Sequence, residues 1–144
     1  MRRRLALLVL LSTLALAGAA AASWESGVYV GTLRNPGYGT RGKTSIRLLV
    51  TTTQVRVLSA QLSWRCSAKG RTPARIGPLR PMRIRVRPDT GGAQFSLNQT
   101  VGTTHVTIAG GITPGKPMQG LLDATRDTAS GTCEDSALFT ATAR

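Results

Sequence analysis

Short stretches in which apolar and polar residues alternate recur along the chain from residue 28 onwards. Apolar side chains at every second position are typical of β-strands with one buried and one exposed face. Residues that favour turns separate these stretches, for example at Pro88–Gly92 and Pro114–Gly115. The pattern predicts strands at Val28–Leu33, Lys43–Val50, Val55–Arg65, Met82–Arg87, Ala93–Asn98, Thr103–Gly110, Gln119–Thr125 and Ala137–Ala143.

Short strands at this spacing predict an all-β fold, namely a single antiparallel meander of about eight strands that forms a β-barrel or a β-sandwich. Two segments fit the pattern less well. Residues Leu121–Ala129 could instead form a turn of helix. Ser67–Pro81 contains Pro and Gly residues without alternation and is predicted to be the longest loop.

The third predicted strand contains two apolar sets that cannot share one face. Val55 and Val57 have the same parity, whereas Leu58, Ala60, Leu62, Trp64 and Cys66 have the other. A regular strand would expose one of the two sets, because its side chains alternate strictly between faces. We therefore expect a β-bulge or a bend near Arg56–Leu58.

The first 23 residues have the organisation of a secretory signal peptide. Three arginines precede an apolar run at Leu5–Gly18, and the small residues Ala19–Ser23 follow, with a cleavage motif near Ala22. The sequence thus predicts a leader at 1–23 and one secreted domain at 24–144, located outside the cell or in the periplasm.

Two cysteines, Cys66 and Cys133, follow the predicted leader. Export to an oxidising compartment favours a disulfide between them, and the spacing lacks the close ligand pairs of zinc sites. In an eight-strand meander the two thiols reach the same end of the barrel, because Cys66 ends the third strand and Cys133 follows the seventh. No cofactor or metal is expected.

Charge is distributed unevenly along the chain, which has a formal net charge of +13. Residues Arg34–Arg87 contain 13 basic residues and no acidic one, whereas Pro88–Arg144 contains 3 basic and 5 acidic residues. Such asymmetry indicates a basic surface that could attract an anionic partner. The alternative is a basic face that is only solvated.

The clearest basic feature is the predicted strand Met82–Arg87. Its alternation places Met82, Ile84 and Val86 towards the core and Arg83, Arg85 and Arg87 in one outward row, with neighbours roughly 7 Å apart. Guanidinium groups suit bidentate contacts with phosphate. Arg71, Arg75 and Arg80 in the preceding loop would extend the row. Teichoic-type polymers, anionic lipids and extracellular DNA are candidate partners, without recognition of a specific nucleic-acid sequence.

One motif suggests a nucleotide site, but its context does not. Gly37–Thr44 matches G-x-x-x-x-G-K-T, the phosphate-binding loop of nucleotide hydrolases. That chemistry needs a helix after the motif, and Ser45–Val50 instead alternates like a strand. We interpret the segment as a glycine-rich hairpin loop.

Candidate catalytic residues are few. His105 lies on the polar face of its strand, and no serine occupies a G-x-S-x-G motif. Four carboxylates could cluster near the disulfide, but their spacing matches neither a calcium loop nor a glycosidase pair, so a solvated acidic edge is expected. They are Asp123, Asp127, Glu134 and Asp135.

Trp24 and Tyr38 are expected to be exposed, because they lie outside the alternating stretches.

Several short motifs recur in a particular order: Gly27–Gly31, then Ile46, Leu48 and Val50, then Trp64–Cys66, Phe95–Ser96, Gly131–Cys133 and Phe139–Ala141. This arrangement resembles a diffuse group of short exported bacterial all-β domains with one disulfide and no established activity. The resemblance implies a β-barrel or sandwich and carries over no catalytic residue.

These observations predict a secreted, non-enzymatic binding domain. The main alternative is an inhibitor of another exported protein, which would present Ser67–Pro81 as a rigid loop. A small hydrolase is a lesser alternative, and it would require His105 within hydrogen-bond reach of a carboxylate in a cleft.

Overall fold

In a computed structural model of the chain, residues 24–35, 44–66 and 70–144 are described. These residues form ten β-strands, which confirms the all-β prediction. The strands are β1 (Gly27–Arg34), β2 (Ser45–Val50), β3 (Gln54–Cys66), β4 (Arg71–Ile76), β5 (Met82–Arg83), β6 (Arg85–Val86), β7 (Ala93–Val101), β8 (Thr104–Ile112), β9 (Met118–Thr128) and β10 (Gly131–Ala143).

The strands form one antiparallel sheet that closes on itself. Its order is β4-β3-β2-β1-β10-β9-β8-β7-β6, and β10 also pairs with β3. This extra pairing closes a four-stranded barrel from β1, β2, β3 and β10. Strands β9 to β6 continue the sheet outwards from β10, and β4 and β5 flank β3. Within the described ranges, no helix is long and apolar enough to cross a membrane.

The predicted disulfide is confirmed and lies at the closure of the barrel. Cys66 at the end of β3 pairs directly with Cys133 on β10, and their sulfurs are bonded. Beside them, Arg65 pairs with Glu134 in the same ladder, and their side chains form an ion pair. A covalent link across 67 residues of sequence separation removes much unfolded-state entropy, worth about 4 kcal/mol on the chain-entropy model.

The predicted bulge is also confirmed. Arg47 of β2 lies opposite Ser59, whereas the next residue, Leu48, lies opposite Val57. Leu58 is therefore the extra residue on β3. The bulge reverses the parity of the strand, so that Val55 and Val57 before it are buried together with three apolar residues after it, namely Ala60, Leu62 and Trp64.

A single apolar core fills the space inside the curved sheet. Every described strand except β6 contributes at least one buried side chain, and Ile84 and Leu79 close the core from the connecting segments. The core includes Leu33, Ile46, Leu48, Val57, Leu62, Leu79, Met82, Ile84, Phe95, Ile108, Leu122 and Phe139.

The strand predicted at Gln119–Thr125 is confirmed as part of β9, so the alternative of a helical turn at Leu121–Ala129 does not apply. Two other local predictions were wrong. The predicted loop Ser67–Pro81 contains strand β4, which pairs with β3. Trp24 is only 8% exposed, and its indole Nε1 donates a hydrogen bond to the Thr51 carbonyl oxygen, 3.1 Å away. The predicted leader, Tyr38 and all of the glycine-rich motif except Thr44 lie outside the described residues.

Candidate functional site

The basic segment after β4 connects two distant parts of the sheet. Its first half, β5, pairs with β3 through Met82 and Val55. The backbone N–H of Ile84 then donates to the Thr53 carbonyl oxygen, 2.8 Å away. Its second half, β6, pairs with β7, and Arg85 lies opposite Gln94. The segment predicted as one strand is thus two short strands that change partner at Ile84.

The predicted alternation holds over most of this segment. Met82 and Ile84 are buried, and Arg83, Arg85 and Arg87 are exposed. The exception is Val86, which was expected in the core and is 54% exposed. It lies on an edge strand that pairs only with β7, so no neighbouring element covers its side chain.

Arg83 and Arg85 line a groove on the outer face of the sheet. The groove has a volume of about 550 Å³ and is lined by Arg83, Arg85, Gln94, Phe95, Ser96, Ala109 and Gly110. None of these residues is acidic, so the two guanidinium groups face no competing carboxylate within the groove. The exposed Gln94 and Ser96 on β7 add polar groups that can donate and accept hydrogen bonds.

Arg87 lies outside this groove. Its guanidinium forms an ion pair with Asp89, with 3.1 Å between Nη2 and Oδ2. Its backbone N–H donates to the Gly92 carbonyl oxygen at 2.7 Å, within the turn that leads to β7. Arg87 is exposed like its two neighbours, but its charge is already balanced locally.

The three arginines of the preceding segment are dispersed. Arg75 is exposed on β4, opposite Gln61 of β3. Arg80 is exposed, and its backbone N–H donates to the Gln99 side chain at 2.9 Å. Arg71 points towards Ser63 and Asp135, so it does not extend the row. Only Arg83 and Arg85, of the six arginines predicted to bind anions, line the groove.

The sequence predicts that Asp135 lies on a solvated acidic edge, and this prediction is wrong. The residue is only 5% exposed. Its carboxylate accepts hydrogen bonds from the Ser63 backbone N–H at 2.9 Å and from Asn35 Nδ2 at 3.0 Å. Arg71 Nη1 lies 3.5 Å from the same carboxylate and donates to the Ser63 carbonyl oxygen at 2.7 Å. These contacts join β10 to β3, β4 and the end of β1, so the cluster has a structural role.

The other predicted polar residues are spread along the sheet. His105 is exposed, and its Nδ1 lies 3.1 Å from the Thr100 hydroxyl. Asp127 accepts a hydrogen bond from Thr132, and Asp123 accepts one from Ser136. In the described part of the chain, no group of three or more His, Cys, Asp or Glu residues could hold a metal ion.

The groove contains residues that the sequence did not single out. Gln94, Ser96 and Ala109 belong to strands β7 and β8, and alternation alone would place all three on an outer face. Their proximity to Arg83 and Arg85 depends on β6 pairing with β7, which the local pattern does not encode. Comparison of the chain with protein families, curated proteins and solved structures gives no match.

Proposed function

We propose that this protein is a secreted, non-enzymatic binding domain that holds an anionic polymer in the groove lined by Arg83 and Arg85. The observation that supports the proposal is that two exposed guanidinium groups and several polar side chains line the same groove, and that no carboxylate lines it. Guanidinium binds phosphate and carboxylate groups with paired hydrogen bonds, so the groove fits an anion well.

The rest of the basic surface contributes attraction at longer range. Arg47 of β2 and Arg75 of β4 are exposed, and the stretch between Arg34 and Arg87 has no acidic residue. Each exposed contact with an anion is weak in salt, because ions screen it over about 10 Å at 0.1 M ionic strength. A polymer that engages several cations at once is therefore a better partner than a single small anion.

The test compares retention of the purified protein and two double variants on a polyanion column eluted with salt. Arg83→Gln combined with Arg85→Gln removes the groove cations. Arg47→Gln combined with Arg126→Gln removes the same charge from two other exposed positions. We expect the groove variant to elute at a clearly lower salt concentration than the control variant.

Equal shifts for the two double variants would contradict the proposal, since net charge alone would then explain retention. Failure of the unmodified protein to bind any polyanion at 0.1 M salt would also contradict it. Circular dichroism of each variant checks that the β-sheet is retained.

A further inference from the structure

The groove continues across the sheet as a row of small and polar outward-facing residues. Arg85 of β6 lies opposite Gln94 of β7, Gln94 lies opposite Gly111 of β8, and Gly111 lies opposite Gln119 of β9. Four neighbouring strands at a spacing of about 4.8 Å span about 14 Å. The row is thus long enough to contact several repeat units of a chain that lies across the strands.

Gly111 leaves this row open at its centre. A Cβ atom at Gly111 would meet only the Ala93 carbonyl oxygen, at an ordinary 3.5 Å, so packing does not require glycine here. The adjacent Gly110 differs, because a Cβ there would collide with the Phe95 ring. A glycine inside a strand marks a bulge, a bend or a place where another molecule approaches the backbone, and the register between β7 and β8 shows no bulge at Gly111.

A second depression begins at Gly111 and ends at a cation. It has a volume of about 220 Å³ and is lined by Gly111, Thr113, Lys116, Pro117 and Gln119. Lys116 is exposed in the turn between β8 and β9. Beyond it, Glu25 and Lys116 both line a third depression, and the carboxylate of Glu25 would disfavour an anion there. Lys116 therefore marks the end of the basic track.

We propose that these two depressions form one extended site for a linear anionic polymer whose repeat units carry hydroxyl groups, such as an acidic polysaccharide or a polyol phosphate. The inference rests on the proposed function and specifies its ligand. Arg83 and Arg85 bind anionic groups at one end of the polymer segment, and Lys116 binds one at the other end.

The side chains between the cations select for hydroxyl groups. Gln94, Ser96, Thr113 and Gln119 are exposed and offer amide and hydroxyl groups that both donate and accept hydrogen bonds. The one aromatic residue among those lining the two depressions, Phe95, is buried, so the site offers no exposed ring on which a nucleobase could stack. Sugar or polyol repeats match this surface better than nucleic acid does.

The first test blocks the site without changing its charge. Gly111→Leu would place a side chain in the centre of the row, and Gly77→Leu is the matched control, since Gly77 has open space around it away from the row. Binding of polygalacturonate is measured by calorimetry. We expect Gly111→Leu to weaken binding about tenfold, equivalent to about 1.4 kcal/mol, and Gly77→Leu to leave it unchanged.

The second test uses Lys116→Gln. Lys116 lies in an exposed turn, so this variant still tests the extended site if Gly111→Leu fails to fold. We expect this variant to weaken binding of long polygalacturonate chains and to leave binding of the monomer unchanged. Poly-L-glutamate, which has carboxylates but no hydroxyls, should bind more weakly than polygalacturonate to the unmodified protein.

The outcomes separate the two proposals. If Arg83→Gln with Arg85→Gln abolishes binding while Gly111→Leu and Lys116→Gln have no effect, the groove is correct and the extended site is wrong. Equal affinity for polygalacturonate and poly-L-glutamate would overturn the selection for hydroxyl groups. If neither polymer binds but the protein is still retained on the polyanion column, the extended site is wrong and the groove proposal stands. If the column does not retain the protein either, both proposals fail.

Discussion

The ring of Phe139 on β10 occupies the space that a side chain at Gly120 on β9 would fill. The two residues lie opposite each other in the ladder, and Gly120 in turn faces Gly110 of β8, which faces Phe95 of β7. Phe95 covers Gly110 as Phe139 covers Gly120. These four residues form one row across strands β7 to β10, in which each phenylalanine ring covers the neighbouring glycine. Two rings therefore fill this part of the core in place of four side chains of medium size.

We expect Gly120→Ala and Gly110→Ala each to destabilise the protein by about 1–3 kcal/mol, because the added methyl group would force the ring and the backbone to shift. The free energy of unfolding, measured with urea, checks this. Gly111→Ala is the matched control on the same strand, since its Cβ has room. A loss for Gly111→Ala equal to that for Gly110→Ala would contradict the prediction, because replacing glycine by alanine without a clash lowers the entropy of the unfolded chain and should not destabilise the protein.

The cluster around Asp135 gives a second prediction. Asp135→Ala would remove the acceptor of the Ser63 backbone N–H, which is partly buried, and one of the contacts of Arg71. We expect a loss of about 1–3 kcal/mol in the free energy of unfolding. Asp127→Ala, at an exposed position, should change stability by less than about 0.5 kcal/mol. Similar effects of the two substitutions would contradict a structural role for Asp135.

The sequence predicts those parts of the fold that depend on one strand and its own buried face. The bulge at Leu58 follows from two apolar sets of opposite parity on β3, since both can be buried only if the parity changes. The Cys66–Cys133 disulfide follows from the predicted export and from the presence of only these two cysteines in the sequence. In both cases few alternatives satisfy the physical requirement.

Strand pairing at the sheet edges could not be predicted in this way. Met82–Arg87 alternates identically whether it joins β3, β7 or both, and the switch at Ile84 depends on hydrogen bonds to distant residues. Strand β4 contains Pro73 and only one buried apolar side chain, as edge strands tolerate, so its pattern resembles a loop. The groove was missed for the same reason, because its residues come together only through the pairing of β6 with β7 and of β7 with β8.

Tyr29 provides a prediction about pH. Its side chain is buried among core residues, and its hydroxyl donates to the Glu25 carbonyl oxygen at 2.9 Å. Burial, and then the negative charge of Glu25, raise the pKa of Tyr29 above its ordinary value of 10.0. The folded state therefore holds this proton more tightly than the unfolded state does.

As a consequence, the contribution of Tyr29 to stability is fully present below pH 10 and decreases as the pH rises through its raised pKa. We expect the urea midpoint of the unmodified protein to fall more steeply above this pH than that of Tyr29→Phe, which cannot ionise. Glu25→Gln should show an intermediate slope, because it removes only the charge contribution. Lysine titration affects all three proteins alike, so parallel curves for the unmodified protein and Tyr29→Phe would show that Tyr29 ionises equally easily in both states.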